Sequence, residues 1–388
     1  MTEVYWELPS RGDGRRAVAA PNSRGGFGAQ RPTTIATDVR PGNFGPFDEL
    51  AQIVLAAELS GVDGVVAPYD PNGEESWIVA AAALRQTRHS RVVVEFHPTF
   101  GTPVYAAKMS ATLQRLSAGR LEWRVKVDTD AEDATARGDV VRGADRYARA
   151  AEFLTVARGV WNEEQILPGG FGGTGYDFDG EYYDVLGGGF RGILSGLPFP
   201  RVHLTGDSPE ALELSAHHGD VHQFTLAGDE LSTRITALDD RASELGRTVE
   251  KVLRIPIIAR ETADEAWARV ERQLRESDST AFEIDRGGIL WSGFDRIGYE
   301  HSIGLVGSYE EVAQRLSSYR DLGVDGFVLS GRPHIEELHR AGEHLLHLVD
   351  PEGRIRKEEK ATTEGQASHL LQLERGEEHG DGVAHVGH

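Results

Sequence analysis

The feature that most constrains this chain is a helix handed directly to a buried strand. Over residues 305–334, Ser308 is placed as an N-cap and Glu311, three residues on, completes a capping box. Val312, Leu316, Tyr319 and Leu322 recur at helical spacing, and Gly323 ends the helix. Gly326-Phe-Val-Leu-Ser330 then reads as a short apolar strand buried on both faces. Its carboxyl end is polar, Ser330-Gly-Arg-Pro-His334, and in an α/β barrel such ends form the mouth where the chemistry is done.

The same unit recurs along the chain. Strands are expected at 4–9, 64–68, 91–98, 121–127, 201–205, 220–226, 252–259 and 326–330. Helical stretches lie between or after them, at 47–60, 74–88, 103–116, 144–162, 209–218, up to Gly246, 262–276, 309–322 and 335–348. Eight strand–helix units predict an α/β fold of the (β/α)8 TIM type with insertion loops, over residues 1–350. An open doubly wound sheet is the alternative, but no G-x-G-x-x-G follows the first strand. The insertions are 15–46, rich in Gly, Pro, Arg and Asn, and 277–304; loops of that length are usually functional or disordered. Within the Gly- and aromatic-rich segment 163–200, residues 176–183 suggest a small hairpin. From residue 351 to 388 the chain is polar and reads as a disordered tail.

Charge and composition narrow the function. The 388 residues carry a formal net charge of -21, which argues against nucleic acid or an anionic membrane as the main partner. There is no cysteine, so disulfides, zinc–thiolate sites and thiol catalysis are excluded. The start, Met1-Thr-Glu-Val-Tyr-Trp-Glu, has neither the basic region nor the apolar core of a signal peptide, and no run is long enough for a membrane span. A cytoplasmic protein with no membrane partner is the expectation.

Several residues at predicted strand ends carry chemistry. Gly206-Asp207-Ser208 follows one strand and opens a helix, a place that favours an anion, although an ordinary N-cap looks the same in sequence. Arg146 and Tyr147 open the helix after strand four, as a phosphate-binding pair or as a surface pair. Arg11, His97, Arg124, Lys126, Arg254, Arg332 and His334 fall in or just after predicted strands. A basic cluster in so acidic a protein suggests an anionic ligand, though Glu95, Glu122 or Asp128 can neutralise some of it. His203, His217, His218 and His222 show no metal spacing, and no nucleophile elbow is present.

Longer stretches carry a family likeness. They are Leu8-Pro-Ser-Arg-Gly-Asp-Gly14, residues 106–120 (AAKMSATLQRLSAGR), 145–153 (DRYARAAEF), 176–183 (YDFDGEYY), 260–267 (RETADEAW) and the 305–334 unit. With them the chain resembles the bacterial luciferase-like flavin-dependent monooxygenases, and within those the alkanesulfonate monooxygenase branch. The resemblance implies a TIM-type barrel that takes reduced FMN (FMNH2) from a separate NAD(P)H-dependent FMN reductase. It implies that dioxygen reacts at the flavin ring to give a flavin peroxide, which attacks a small-molecule substrate. The leading substrate is an alkanesulfonate-like anion, and a homodimer or homotetramer is implied. The protein's share is to orient, place charge and exclude water, with both insertions as lids.

The resemblance also distributes roles. Tyr147 and the turn Gly206, Asp207, Ser208 fall where the family holds the flavin phosphate. Thr99 and Arg124 fall at the flavin ring, with Arg124 in place of an Asn. Arg254 and Arg332 are expected to hold the substrate anion with Arg11 and His97 nearby, and His334 to assist proton transfer. Four further positions depart from the sulfonate enzymes: Pro256 stands for a His, Gly73 for a Cys, Arg332 for a Tyr and Arg11 for a His. The flavin scaffold is kept while the substrate side is rewritten. Two further readings follow: a deazaflavin (F420)-dependent oxidoreductase of the same fold, and a non-catalytic flavin-binding protein.

Overall fold

A computed structural model describes residues 2–9, 46–161, 175–189, 197–225, 227–228, 230–276 and 286–351. Eight parallel strands close into a barrel. They are β1 (Glu3–Glu7), β2 (Gly64–Ala67), β3 (Arg91–Phe96), β4 (Leu121–Val125), β7 (Arg201–Thr205), β8 (Val221–Phe224), β9 (Glu250–Arg260) and β12 (Gly326–Ser330). Neighbours pair in that order, and β12 returns to β1 through Glu3↔Gly326 to Trp6↔Leu329. All eight predicted strands are present, and the closed ring excludes the open-sheet alternative.

The outer layer is helical: α1 (Pro46–Leu59), α2 (Ser76–Gln86), α3 (Pro103–Ser117), α5 (Asp145–Trp161), α6 (Pro209–His218), α7 (Glu230–Glu244), α8 (Ala263–Glu276), α9 (Tyr309–Asp321) and α10 (His334–Arg340). The capping box at Ser308 and Glu311 forms as its spacing predicts. After α10 the last helix takes one wide turn at Ala341–Leu345 before α11 (Leu346–Val349). Between strands and helices packs the large apolar core, with Trp77, Phe96, Trp123 and Phe153 edge-on or tilted against one another.

Some elements escape the sequence. The six-residue α4 (Ala131–Ala136) is capped by Asp130 and too short to show a period. The predicted hairpin 176–183 is wider, with β5 (Tyr176–Asp179) and β6 (Asp184–Gly188). Its supposed second arm is the turn, held because the Glu152 carboxylate accepts from the backbone N–H groups of Glu181, Tyr182 and Tyr183. Within the 277–304 insertion lie β10 (Leu290–Trp291) and a 3-10 turn, Phe294–Ile297, followed by β11 (Gly304–Ser308).

β9 explains how β11 attaches. Its first part pairs with β12 up to Pro256↔Ser330, and its last part pairs with β11 from Ile257↔Leu305 to Arg260↔Ser308. Proline lacks the N–H a central strand needs. Pro256 stands where the strand leaves one partner and takes the next. Residues 10–45, 277–285 and 352–388 lie outside the described residues, and with them Arg11, most of the first insertion and all but the first residue of the predicted tail.

The barrel interior is layered. Tyr5, Val66, Val93, Val221, Val252 and Val328 form a middle belt of their own. Below it, at the amino ends of the strands, Glu3, Arg91, Glu122, Arg201 and Glu250 make an ionic floor. Above it, at the carboxyl ends, Glu7, Glu95, Arg124, Lys126 and Arg254 line the mouth. Gly64 makes the floor possible: a Cβ there would lie 2.5 Å from the Arg91 carbonyl oxygen and 3.0 Å from the Tyr5 ring.

Candidate active site

The mouth is built from the carboxyl ends of β1, β3, β4, β8 and β9. Arg254 lies at its centre. Its Nε and one terminal nitrogen donate to the two Glu7 oxygens at 2.5 and 2.6 Å, and that nitrogen also donates to Glu300 at 2.6 Å. Burial alone would raise the Glu7 pKa, but Arg254 and Arg124 outweigh it and the carboxylate stays ionised. Arg254 holds Glu300 down to a pKa of about 2. Arg124 is buried; it donates to Gln223 Oε1 at 3.1 Å, pairs with Glu95 and lies 3.5 Å from Glu7. Lys126 reaches Glu95 at 3.4 Å.

So the basic residues that suggested an anion pocket do meet at the mouth, but Arg124, Lys126 and Arg254 are each matched by carboxylates. Arg332 has a different neighbour. It is half-buried with its guanidinium 4.9 Å from the Tyr299 ring, and its carbonyl accepts from Arg269 and Gln273 of α8.

Burial keeps His97, His301 and His334 neutral. His97 at the end of β3 lies edge-on to Tyr69, and burial, with Arg137 and Lys126 nearby, lowers its pKa to about 3. His334 is buried, and its Nδ1 accepts from the Trp6 indole N–H at 3.1 Å, which places its proton on Nε2. Burial, with Arg332 beside it, takes its pKa to about 3. Neither Nε2 has a hydrogen-bond partner among the described residues. His301 shares that condition, with a pKa lowered to about 4 by burial and by Arg254. Sequence reasoning missed Glu300 and His301. They sit in a turn after Gly298 with no period to mark them, and only the closed fold brings them to Arg254.

On the other side of the mouth the turn after β7 opens α6. Ser208 is the N-cap, its Oγ accepting from Ala211 N–H at 3.1 Å. Its hydroxyl donates to the Tyr147 oxygen at 3.3 Å, and Tyr147 donates to Asp128. Gly206 has φ 115°, and a Cβ there would lie 2.6 Å from Asp128 Oδ2, so glycine is required. Burial raises the Asp207 pKa, and its Oδ1 has no partner among the described residues. Turned from Asp128 and Tyr147, the Tyr147 and Ser208 hydroxyls would join the α6 N-terminus as donors to a phosphate. Thr99 Oγ1 accepts from Arg137 at 3.3 Å. Gly73 lies in the turn before α2, its N–H bonded to the Asp70 carbonyl at 3.0 Å. No helix among the described residues is long and apolar enough to cross a membrane.

In a closed parallel barrel, a polar mouth at the carboxyl ends beside a helix-capped turn is where an active site lies. The family model for luciferase-like monooxygenases matches residues 26–326, and the chain belongs to that family. Solved structures share the fold. A riboflavin lyase, solved with a modified FMN and riboflavin, superposes with TM-score 0.69 at 18% identity, covering 91% of this chain and 92% of that one. The EDTA monooxygenase of Chelativorans sp. BNC1 gives 0.65 at 19%, with 91% and 94% covered. An F420-dependent secondary alcohol dehydrogenase, solved with an F420–acetone adduct, gives 0.61 at 16%, with 90% and 99% covered.

Proposed function

We propose that this protein is a monooxygenase that uses reduced FMN and dioxygen on a small organic substrate at the barrel mouth. Membership of the luciferase-like family supports the reaction type, and the donor set at Gly206–Ser208 and Tyr147 carries the cofactor assignment. Reduced flavin supplies the two electrons that activate dioxygen. The chain's own residues bind and orient. Tyr147, Ser208 and the α6 N-terminus hold the phosphate, while Thr99 and Arg124 face the ring. His334, neutral and with its proton on Nε2, is the group assigned to proton transfer. In this reading a separate reductase supplies the reduced flavin and the barrel works as a homo-oligomer.

The proposed anionic substrate, an alkanesulfonate above all, rested on Arg254 and Arg332. Arg254 is bound by two carboxylates and Arg332 packs on Tyr299, so neither supports that choice as placed.

The deazaflavin reading keeps one specific support, the F420-dependent enzyme that shares this fold over nearly its whole length. Anaerobic titration with reduced FMN and, separately, with a reduced deazaflavin separates the two. Saturable binding of reduced FMN, followed by substrate-dependent oxidation on mixing with oxygen, is expected. Binding of the deazaflavin alone would overturn the assignment.

A further inference from the structure

Glu300 lies on the segment that crosses the mouth between two anchors. On one side Tyr299 packs against Phe294, with ring centroids 5.1 Å apart, and under the Arg332 guanidinium. On the other, Glu300 reaches down to Arg254 at 2.6 Å. The two arginines that sequence reasoning assigned to a substrate anion therefore hold this segment. Glu7, the other partner of Arg254, is buried, whereas the Glu300 side chain is 63% exposed. Among the described residues, Glu300 is the solvent-facing carboxylate partner of Arg254.

We propose that Glu300 sets the substrate charge this mouth accepts: its carboxylate occupies Arg254 as a substrate anion would and restricts the site to organic substrates that are uncharged or cationic at that end. The inference rests on the monooxygenase reading for the reaction but not for the binding. Among the described residues, these ion pairs join three cations, Arg124, Lys126 and Arg254, to three carboxylates, Glu7, Glu95 and Glu300, for a formal sum of zero. Without Glu300 the same set sums to one positive charge. Removing a like charge from the place an anion must occupy is the step that changes specificity.

The test uses isothermal titration of the full chain with 1-octanesulfonate and with 1-octanol. Glu300→Gln is expected to bind the sulfonate about tenfold or more tightly than wild type, with a gain that salt diminishes and with octanol affinity unchanged. Glu310→Gln makes the same charge change on an exposed face of α9 and is expected to leave sulfonate affinity as in wild type. Sulfonate affinities of wild type and Glu300→Gln within about twofold of each other, or an equal gain in Glu310→Gln, would overturn the proposal. Reduced FMN is titrated into the same proteins under anaerobic conditions. If none of them binds it, the monooxygenase reading fails while the sulfonate comparison still stands.

Discussion

The two ends of the barrel use the same residue types for different ends. At the floor, Glu3 pairs with Arg91 and Arg201 at 2.8 and 2.7 Å, and Glu122 takes Arg91, His203 and the Tyr5 hydroxyl at 3.3, 2.9 and 2.8 Å. None of these floor side chains has a buried polar atom left without a hydrogen bond. At the mouth, Arg124 Nε and the Nε2 atoms of His97 and His301 are buried without a partner among the described residues. Buried polar groups are normally paired, and exceptions concentrate where a ligand or a reaction uses them. Charge inside the barrel is thus not by itself a sign of a site. The mouth gathers several unpaired polar atoms, although Ser90 Oγ at the amino end of β3 is another.

The sharpest way to break this contrast is to cut one carboxylate from the floor. Glu122→Ala takes the buried carboxylate from His203 and Tyr5 and leaves Arg91 and Arg201 with Glu3. Removing one side of a buried ion pair costs about 3–5 kcal/mol. Denaturant unfolding should show a loss of that size, with reduced-FMN affinity in the surviving folded fraction unchanged. A loss below about 1 kcal/mol would mean the floor is as loosely held as a surface pair.

Acid separates the buried histidines from the carboxylates next. Burial, with neighbouring cations, lowers the mouth histidines His97, His301 and His334 from 6.5 to about 3, 4 and 3. The unfolded chain binds their protons first, so their contribution is full above pH 6.5 and falls as pH drops towards those folded values. Glu122 is lowered from 4.5 to about 2, as His203 and the arginines outweigh its burial, so its contribution is lost only between those values. Stability should therefore decline in two limbs on acidification. His97→Gln should make the upper limb shallower and leave the lower one in place; a shallower slope in both, or in neither, would count against the assignment.

The sequence made the scaffold legible because the scaffold repeats. Eight short β-branched strands and their capped helices each carry their own signal, from Val92-Val-Val94 to the capping box at Ser308. Gly206-Asp-Ser208 and Tyr147 were legible for the same reason: turn chemistry and helix position mark them locally. What could not be read is pairing across the barrel. Arg254 and Glu7 are 247 positions apart, and nothing in their neighbours shows that they meet. The same holds for Glu300, whose meaning depends on β9 passing from β12 to β11 at Pro256. Periodicity reports which face a residue takes, but not which charge it will find there.

The smallest predicted change in stability belongs to the cradle, and it sharpens the contrast because the mouth is expected to give up ligand affinity in place of fold stability. Tyr147→Phe removes a hydroxyl that donates to Asp128 and accepts from Ser208 at the half-exposed start of α5. Asp128 is exposed and can turn to water, so unfolding should change by no more than about 1 kcal/mol. A phosphate held there loses a hydrogen bond to a charged group, and reduced-FMN affinity should fall about tenfold or more. Riboflavin, which has the ring without the phosphate, should bind wild type and variant alike. If Tyr147→Phe weakens both flavins equally, the hydroxyl acts through the shape of the mouth and not through the phosphate. A destabilisation as large as that of Glu122→Ala, with flavin affinity intact, would make Tyr147 part of the scaffold and erase the difference between the two ends.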